Sequence, residues 1–268
     1  MGAAQSRIRV GVIGAGGRMG STVCQAVEDD PDLELVAAVD PHYRGIDLRT
    51  ATGVDSGITI RADTESLAGH GAQVAVDFTE HDAGSRNLSI LAEAGIHAVV
   101  GTTGFTEEDI ERFRSEFTRS NAVIAPNFAI GAVLMMKFAE MAAPYFDSAE
   151  IIELHHDRKV DSPSGTALST ARLMREARGR DFESNTPDLE HLEGARGAGT
   201  GGVTIHSVRL PGFVASQEVI FGGQGQTLTL RHDSTGRDSF MPGVMLAIRE
   251  VMQRNELVVG LDALVGLK

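Results

Sequence analysis

Short apolar runs alternate with amphipathic stretches through the first half of the chain. Ile8 to Ile13 reads as a strand, after which Met19, Val23, Ala26 and Val27 recur at helical spacing until Pro31 ends the run. Leu33 to Val39 is a second strand and Val74 to Phe78 a third. A helical face at Leu88, Leu91 and Ala92 leads into a fourth strand, Ile96 to Val100. Thr106 then opens a helix with Ile110, Phe113 and Phe117 on one face, and Asp109, three residues on, gives it the form of a capping box. Val123 to Ala125 closes the series. Repeated β-α-β units predict a Rossmann-like α/β domain over 1–128, a doubly wound parallel sheet with helices on both faces.

After Asn127 the pattern changes. A long apolar helix is predicted from about Ile130 to Tyr145, a strand over Glu150 to His156, and a helix from Ser164 with Ala167, Ala171 and Met174 on one face. VTIHSVRL, FVASQEVIF and QTLTLRH follow as strands with no helix between them. That order predicts a C-terminal α+β domain over 129–238 with a mixed, largely antiparallel sheet. The closing helix near Ser239 to Gln253 and the strand Leu257 to Leu261 suit either domain, so 239–268 can rejoin the first.

Composition narrows the functional classes. With 42% hydrophobic and 23% charged residues the chain has the make-up of an ordinary soluble globular protein. The 24 Lys and Arg against 37 Asp and Glu leave a net charge of -13, which argues against a nucleic-acid partner. No apolar run reaches the roughly 18 residues of a membrane span, so no membrane partner is expected. The single cysteine, Cys24, forms no intramolecular disulfide and suits a reducing cytoplasm. Glycine is the anomaly. The 31 glycines exceed the roughly 19 expected at ~7% usage, and the surplus gathers at 11–20, 101–104, 194–202 and 222–225. Such clusters mark sharp turns or close approach to a ligand. The stretch 194–202 is predicted as a mobile loop and 222–225 as a hairpin turn.

The first cluster lies between strand and helix. Gly14, Ala15, Gly16, Gly17, Arg18 and Met19, followed by Gly20, form a turn whose glycines would admit a pyrophosphate to the helix N-terminus. Asp40 ends the second strand, where an acid accepts hydrogen bonds from a ribose and repels a 2'-phosphate, so it leans towards NADH. Arg18 and Arg44 could counter a phosphate, which leaves NADPH open. Two further loops, Gly101-Thr102-Thr103-Gly104 and Ala125-Pro126-Asn127-Phe128, follow strands and are placed for the nicotinamide end.

The densest polar segment runs from Glu153 to Ala167. It ends a strand and opens a helix, so Gly165 and Thr166 offer backbone N–H groups to a carboxylate, while His155, His156 and Lys159 add proton donors and positive charge. Cationic neighbours favour the neutral form of a lysine and ease proton donation. A metal site is the rival reading, and none is expected, because adjacent strand residues face opposite ways and no later His/Cys pair completes a ligand set. The same alternation means that both histidines reach one pocket only if the strand ends there.

GAGGRMG at 14–20, DFT at 77–79, GTTGF at 101–105, APNF at 125–128 and ELHHDRKVDSPSGTA at 153–167 together resemble the 4-hydroxy-tetrahydrodipicolinate reductases, also called dihydrodipicolinate reductases. The resemblance runs in order over nearly the whole chain. It implies a cytoplasmic homotetramer of the diaminopimelate route to lysine, reducing a small cyclic dicarboxylate with NADH or NADPH. By position it implies that Gly14 to Met19 hold the pyrophosphate, Asp40 the adenosine ribose, and Gly101 to Thr103 with Ala125 to Phe128 the nicotinamide end. It makes His155 and Lys159 the catalytic proton carriers and gives His156, Gly165 and Thr166 the substrate carboxylate. Some family members carry a basic residue directly after the strand-end acid. Here Pro41 and His42 follow, which puts NADPH use in question. With this reading, closure of the two domains over the cleft between them is expected, with 194–202 as a candidate moving element. Two other readings stand beside the resemblance: another two-domain dehydrogenase of amino or semialdehyde acids, and an NADH sensor without turnover.

Overall fold

The computed structural model describes residues 6–184 and 189–266. Two compact units divide the chain, the first running to Phe128 and resuming at Phe240, the second covering Ala129–Ser239.

In the first unit β1 (Ile8–Ile13), α1 (Arg18–Asp29) and β2 (Leu33–Val39) follow one another, then the short helices α2 (Leu48–Thr52) and α3 (Ser66–Gly69). Next come β3 (Val74–Asp77), α4 (His81–Ala94), β4 (His97–Val100), α5 (Glu107–Glu116) and β5 (Ala122–Ile124). The predicted capping box is present: Thr106 Oγ1 accepts the Asp109 N–H at 3.1 Å while Asp109 Oδ2 accepts the Thr106 N–H at 2.9 Å.

In the second unit α6 (Ile130–Ala142) passes into a 3-10 turn over Ala143–Tyr145, because Pro144 cannot continue the α-helical ladder. There follow β6 (Ser148–His155), α7 (Gly165–Arg178), β7 (Ala198–Thr200), β8 (Val203–Arg209), β9 (Ala215–Gly223) and β10 (Gln226–Ser234). The order across the sheet is β10-β9-β6-β8-β7, with β6 and β8 parallel and the other three pairings antiparallel. The core of this unit packs Ala167, Ala171 and Met174 of α7 against Ile151, Val203, Val219 and Phe221 of the sheet. The segment 194–202 departs from the expected loop. Its residues Ala198 to Thr200 pair with Ile205 to Val203, and Gly201 and Gly202 make the turn with positive φ, so most of it is a hydrogen-bonded hairpin. The turn predicted at 222–225 is found between β9 and β10, with Gly223 opposite Gln226.

The chain then returns to the first unit through α8 (Met241–Val251) and β11 (Val258–Val259). β11 pairs in parallel with β5 and completes a six-stranded parallel sheet of order β11-β5-β4-β3-β1-β2. The direction of strand order reverses about β1, between β2 and β3, which is where ligands bind in open α/β sheets. Phe113 anchors the helical layer: it is fully buried, stacks edge-on to Phe105 at 5.3 Å, and carries the Arg112 guanidinium 4.4 Å from its ring centre. Phe113→Ala is expected to cost about 3–5 kcal/mol of folding stability, measured by denaturant unfolding.

Candidate active site

The glycine turn is built as a cradle in the first unit. Gly14 adopts φ +76, a conformation that favours glycine, and the N–H groups of Gly14 and Ala15 donate to the Val39 carbonyl at 2.8 and 3.1 Å. A Cβ at Gly20 would collide with the Gly14 carbonyl, and one at Gly16 would enter the ring of Tyr43. Helix α1 has no side-chain cap and no acid in its first turn. Its N-terminal N–H groups are therefore left for an anion, which fits a pyrophosphate.

Asp40 is buried at the end of β2, where its Oδ2 accepts the Gly16 N–H and its Oδ1 the His42 N–H, each at 3.0 Å. A carboxylate has about four acceptor positions, so two remain for a ligand. Arg18 and Arg44 are exposed.

The loops after β3, β4 and β5 are locked to one another. Asp77 is fully buried and its carboxylate accepts the Thr79 N–H and hydroxyl, the Thr102 hydroxyl and the Asn87 amide, at 2.8, 2.7, 3.1 and 2.7 Å. The Phe78 ring covers Gly101, where a Cβ would overlap it, and lies 5.7 Å from the Phe128 ring. Thr102 is therefore turned into the protein as a loop anchor, whereas Thr103 and Pro126 are exposed. Ala125 and Phe128 are buried, with the Ala125 N–H donating to Val100, and Asn127 is half-buried. Asp77 stood out in the sequence only as part of DFT, and its role depends on partners up to 25 residues away.

In the second unit β6 ends at His155, so His156 starts the following loop and is released from strand alternation. Both histidines are half-buried, and His156 Nδ1 is buried with no hydrogen-bond partner among the described residues. Glu153 lies two residues before His155 on the same sheet face and is fully buried. It accepts His155 Nδ1 at 2.5 Å, the Ser164 N–H at 3.2 Å, and both terminal nitrogens of Arg209 at 2.8 and 2.7 Å. Burial alone would raise the Glu153 carboxyl, but hydrogen bonds from Arg209, Ser207 and His155 outweigh it and hold the group ionised below its usual range. Burial pushes the His155 imidazole below its ordinary value, opposed by Glu153 and assisted by the charges of Lys159 and Arg209.

Ser164 caps α7 by accepting the Ala167 N–H at 3.2 Å, and Gly165 and Thr166 form the first turn, with Gly165 exposed. Lys159 differs from expectation. Its ammonium meets Asp161 at 2.7 Å, so its nearest charged neighbour is an anion rather than a cation. No cluster of three His, Cys, Asp or Glu able to hold a metal occurs among the described residues.

Two family models match this chain: "Dihydrodipicolinate reductase, N-terminus" over 8–128 and "Dihydrodipicolinate reductase, C-terminus" over 131–265. The chain belongs to the dihydrodipicolinate reductase family. Among relatives of this family, the 4-hydroxy-tetrahydrodipicolinate reductase of Nocardia farcinica is 51% identical over 97% of this chain and 99% of its own length. That of Geobacillus kaustophilus is 51% identical over 95% and 98%. The solved dipicolinate-bound dihydrodipicolinate reductase from Paenisporosarcina sp. TG-14 superposes with TM-score 0.85 at 42% identity, over 96% of this chain and 99% of that one. An amine dehydrogenase from Mycobacterium smegmatis, with TM-score 0.68 and 16% identity, shares the fold.

Two further groups of the site have no role assigned by the sequence motifs, Glu153, although it opens the 153–167 segment, and Arg209. Glu153 was readable from its period-2 spacing to His155 on a strand. Arg209 gave no local signal, since it lies 56 residues from the carboxylate it grips.

Proposed function

We propose that this chain reduces 4-hydroxy-tetrahydrodipicolinate to tetrahydrodipicolinate with a nicotinamide coenzyme, within lysine biosynthesis through diaminopimelate. The observation that carries the reading is the sharing of Glu153 by His155 and the N-cap of α7, which ties a proton carrier to a helix start suited to carboxylate. Family membership supports the substrate class, as does the dipicolinate bound to the Paenisporosarcina relative.

A bound nicotinamide supplies hydride to an electron-poor ring carbon. His155 carries the proton that the ring then needs, with Lys159 as a second donor. Gly165 and Thr166 hold a substrate carboxylate through their N–H groups, with His156 beside them, and its unpartnered Nδ1 suits a polar ligand. In the first unit Gly14 to Met19 take the pyrophosphate, Asp40 the ribose, and the loops at 101–103 and 125–128 the nicotinamide end. Thr102 serves there by fixing its loop. We also propose a homotetramer in the cytoplasm. No helix among the described residues is long and apolar enough to cross a membrane.

Asp40 supports a preference for NADH. To swing away from a 2'-phosphate it would forfeit two backbone hydrogen bonds, from Gly16 and His42. The test follows NADH and NADPH consumption with freshly made product of dihydrodipicolinate synthase. Turnover with both is expected, with KM for NADPH about tenfold the higher and the gap narrowed in Asp40→Asn. A strong preference for NADPH would overturn the coenzyme assignment, and absence of turnover with either coenzyme would favour the sensor.

A further inference from the structure

Glu153 joins His155, the N-cap of α7 and Arg209 in the second unit's site. It is fully buried, yet it carries four kinds of hydrogen bond, from His155, from the Ser164 N–H, from Ser207 and from both terminal nitrogens of Arg209. A buried carboxylate survives ionised only when it is paired and saturated with donors, and Arg209 supplies the pairing in bidentate form. Arg209 is itself fixed on β8 by donating to the Asp161 carbonyl at 2.7 Å and to Val208. An ionised carboxylate accepts only. The nitrogen of His155 that faces it at 2.5 Å must therefore carry hydrogen, which leaves Nε2 as the ring atom that exchanges protons with a ligand.

From this geometry we infer that Glu153, held by Arg209, is a positioning residue that sets the tautomer of His155 and the placement of the α7 N-terminus together. Fully buried and saturated with protein donors, it is placed to act through His155 and α7 and not on a ligand directly. One oxygen, Oε2, receives the imidazole, while the other, Oε1, receives the N–H of the residue that caps α7. A shift of the carboxylate would thus move the proton carrier and the carboxylate-binding turn in concert. The inference rests on the reading of His155 as the proton carrier and of Gly165 and Thr166 as the carboxylate grip.

The charged groups facing His155 are Glu153 on its own strand, Arg209 on β8 and Lys159 in the loop that follows. Glu153 alone favours the imidazolium. Glu153→Gln removes that anion and turns an amide N–H towards Nδ1, so the ring must accept there and carry its proton on Nε2. Three consequences are expected. Histidine-ring 15N spectra of labelled protein, assigned with His155→Gln, show a change from the Nδ1–H to the Nε2–H tautomer. Turnover falls about 10- to 100-fold with coenzyme KM unchanged. The alkaline limb of kcat, where the imidazolium is lost, moves to lower pH, because an imidazolium without its carboxylate deprotonates earlier.

Glu153→Gln leaves Arg209 partly unpaired, so Glu153→Gln/Arg209→Met, which removes both charges, is measured beside it. A merely structural pair predicts a double variant with normal melting temperature, wild-type turnover and an unmoved limb, and that result overturns the inference. A folded double variant that keeps the loss of turnover supports it. An unchanged tautomer in folded Glu153→Gln overturns it directly. Wild-type turnover in His155→Gln would instead overturn the reading of His155, while the labelled spectra would still decide whether Glu153 sets the tautomer.

Discussion

His155→Gln is expected to lower kcat by about 10²- to 10³-fold with coenzyme affinity unchanged, in steady-state kinetics and coenzyme titration. The imidazole is half-buried at the end of β6, its Nδ1 is spent on Glu153, and its Nε2 is the atom left to move a proton. Gln is polar and of comparable reach but does not titrate, so binding contacts persist while proton transfer is lost. Lys159→Ala should also reduce turnover more than it raises substrate KM. Its effect is expected to be the smaller, since its ammonium is shared with Asp161 at 2.7 Å. Thr166→Ala gives the opposite pattern, raising substrate KM through a displaced first turn of α7 with kcat nearly kept. Turnover near wild type in His155→Gln would remove it from the chemistry and leave Lys159 as the proton donor.

Gly20→Val has the next largest expected effect, on coenzyme binding. The added Cβ would overlap the carbonyl of Gly14 and the Cα of Ala15, which are backbone atoms of the cradle and cannot rotate aside. Either α1 or the turn must move, and the N–H groups that greet the pyrophosphate move with it. Coenzyme affinity should fall at least about tenfold, with about 1–3 kcal/mol of stability lost to overpacking. Gly17→Ala is the internal comparison. Its Cβ would meet only the Gly14 carbonyl, at 3.2 Å, and the N-cap there has extended backbone geometry, so binding should change little. At Gly16 the obstruction is the Tyr43 ring, a side chain that can swing away. Equal losses at Gly17 and Gly20 would mean that the turn's mere flexibility, and not close packing of α1 on it, governs coenzyme binding.

Periodicity carried most of the fold. β2 spans Leu33–Val39 as the apolar run indicates, and α7 buries Ala167, Ala171 and Met174 on the face that their spacing defines. Such elements are legible because strand and helix each impose their own repeat on buried positions. The hairpin within 194–202 was not legible. Its edge strand is Ala-Gly-Thr, all exposed, so no burial pattern marks it, and it is held by backbone pairing to β8. The place of the C-terminal strand was equally hidden, since Val258 and Val259 find parallel partners in Val123 and Ile124, far back along the chain.

The same division runs through the site. Sequence alone determined the cradle after β1, the acid at the end of β2, and the His155 to Thr166 segment, because each depends on residues close together in the chain and on the turn or helix start that they form. Only the tertiary structure decided what those residues face. It turned Thr102 inward to Asp77, set Asp161 against Lys159, and brought Arg209 to Glu153 across 56 residues. Local sequence fixes a backbone path and a repeat, whereas the charge and hydrogen-bond partners that set a group's chemistry arrive from other strands, by a register that no local pattern records.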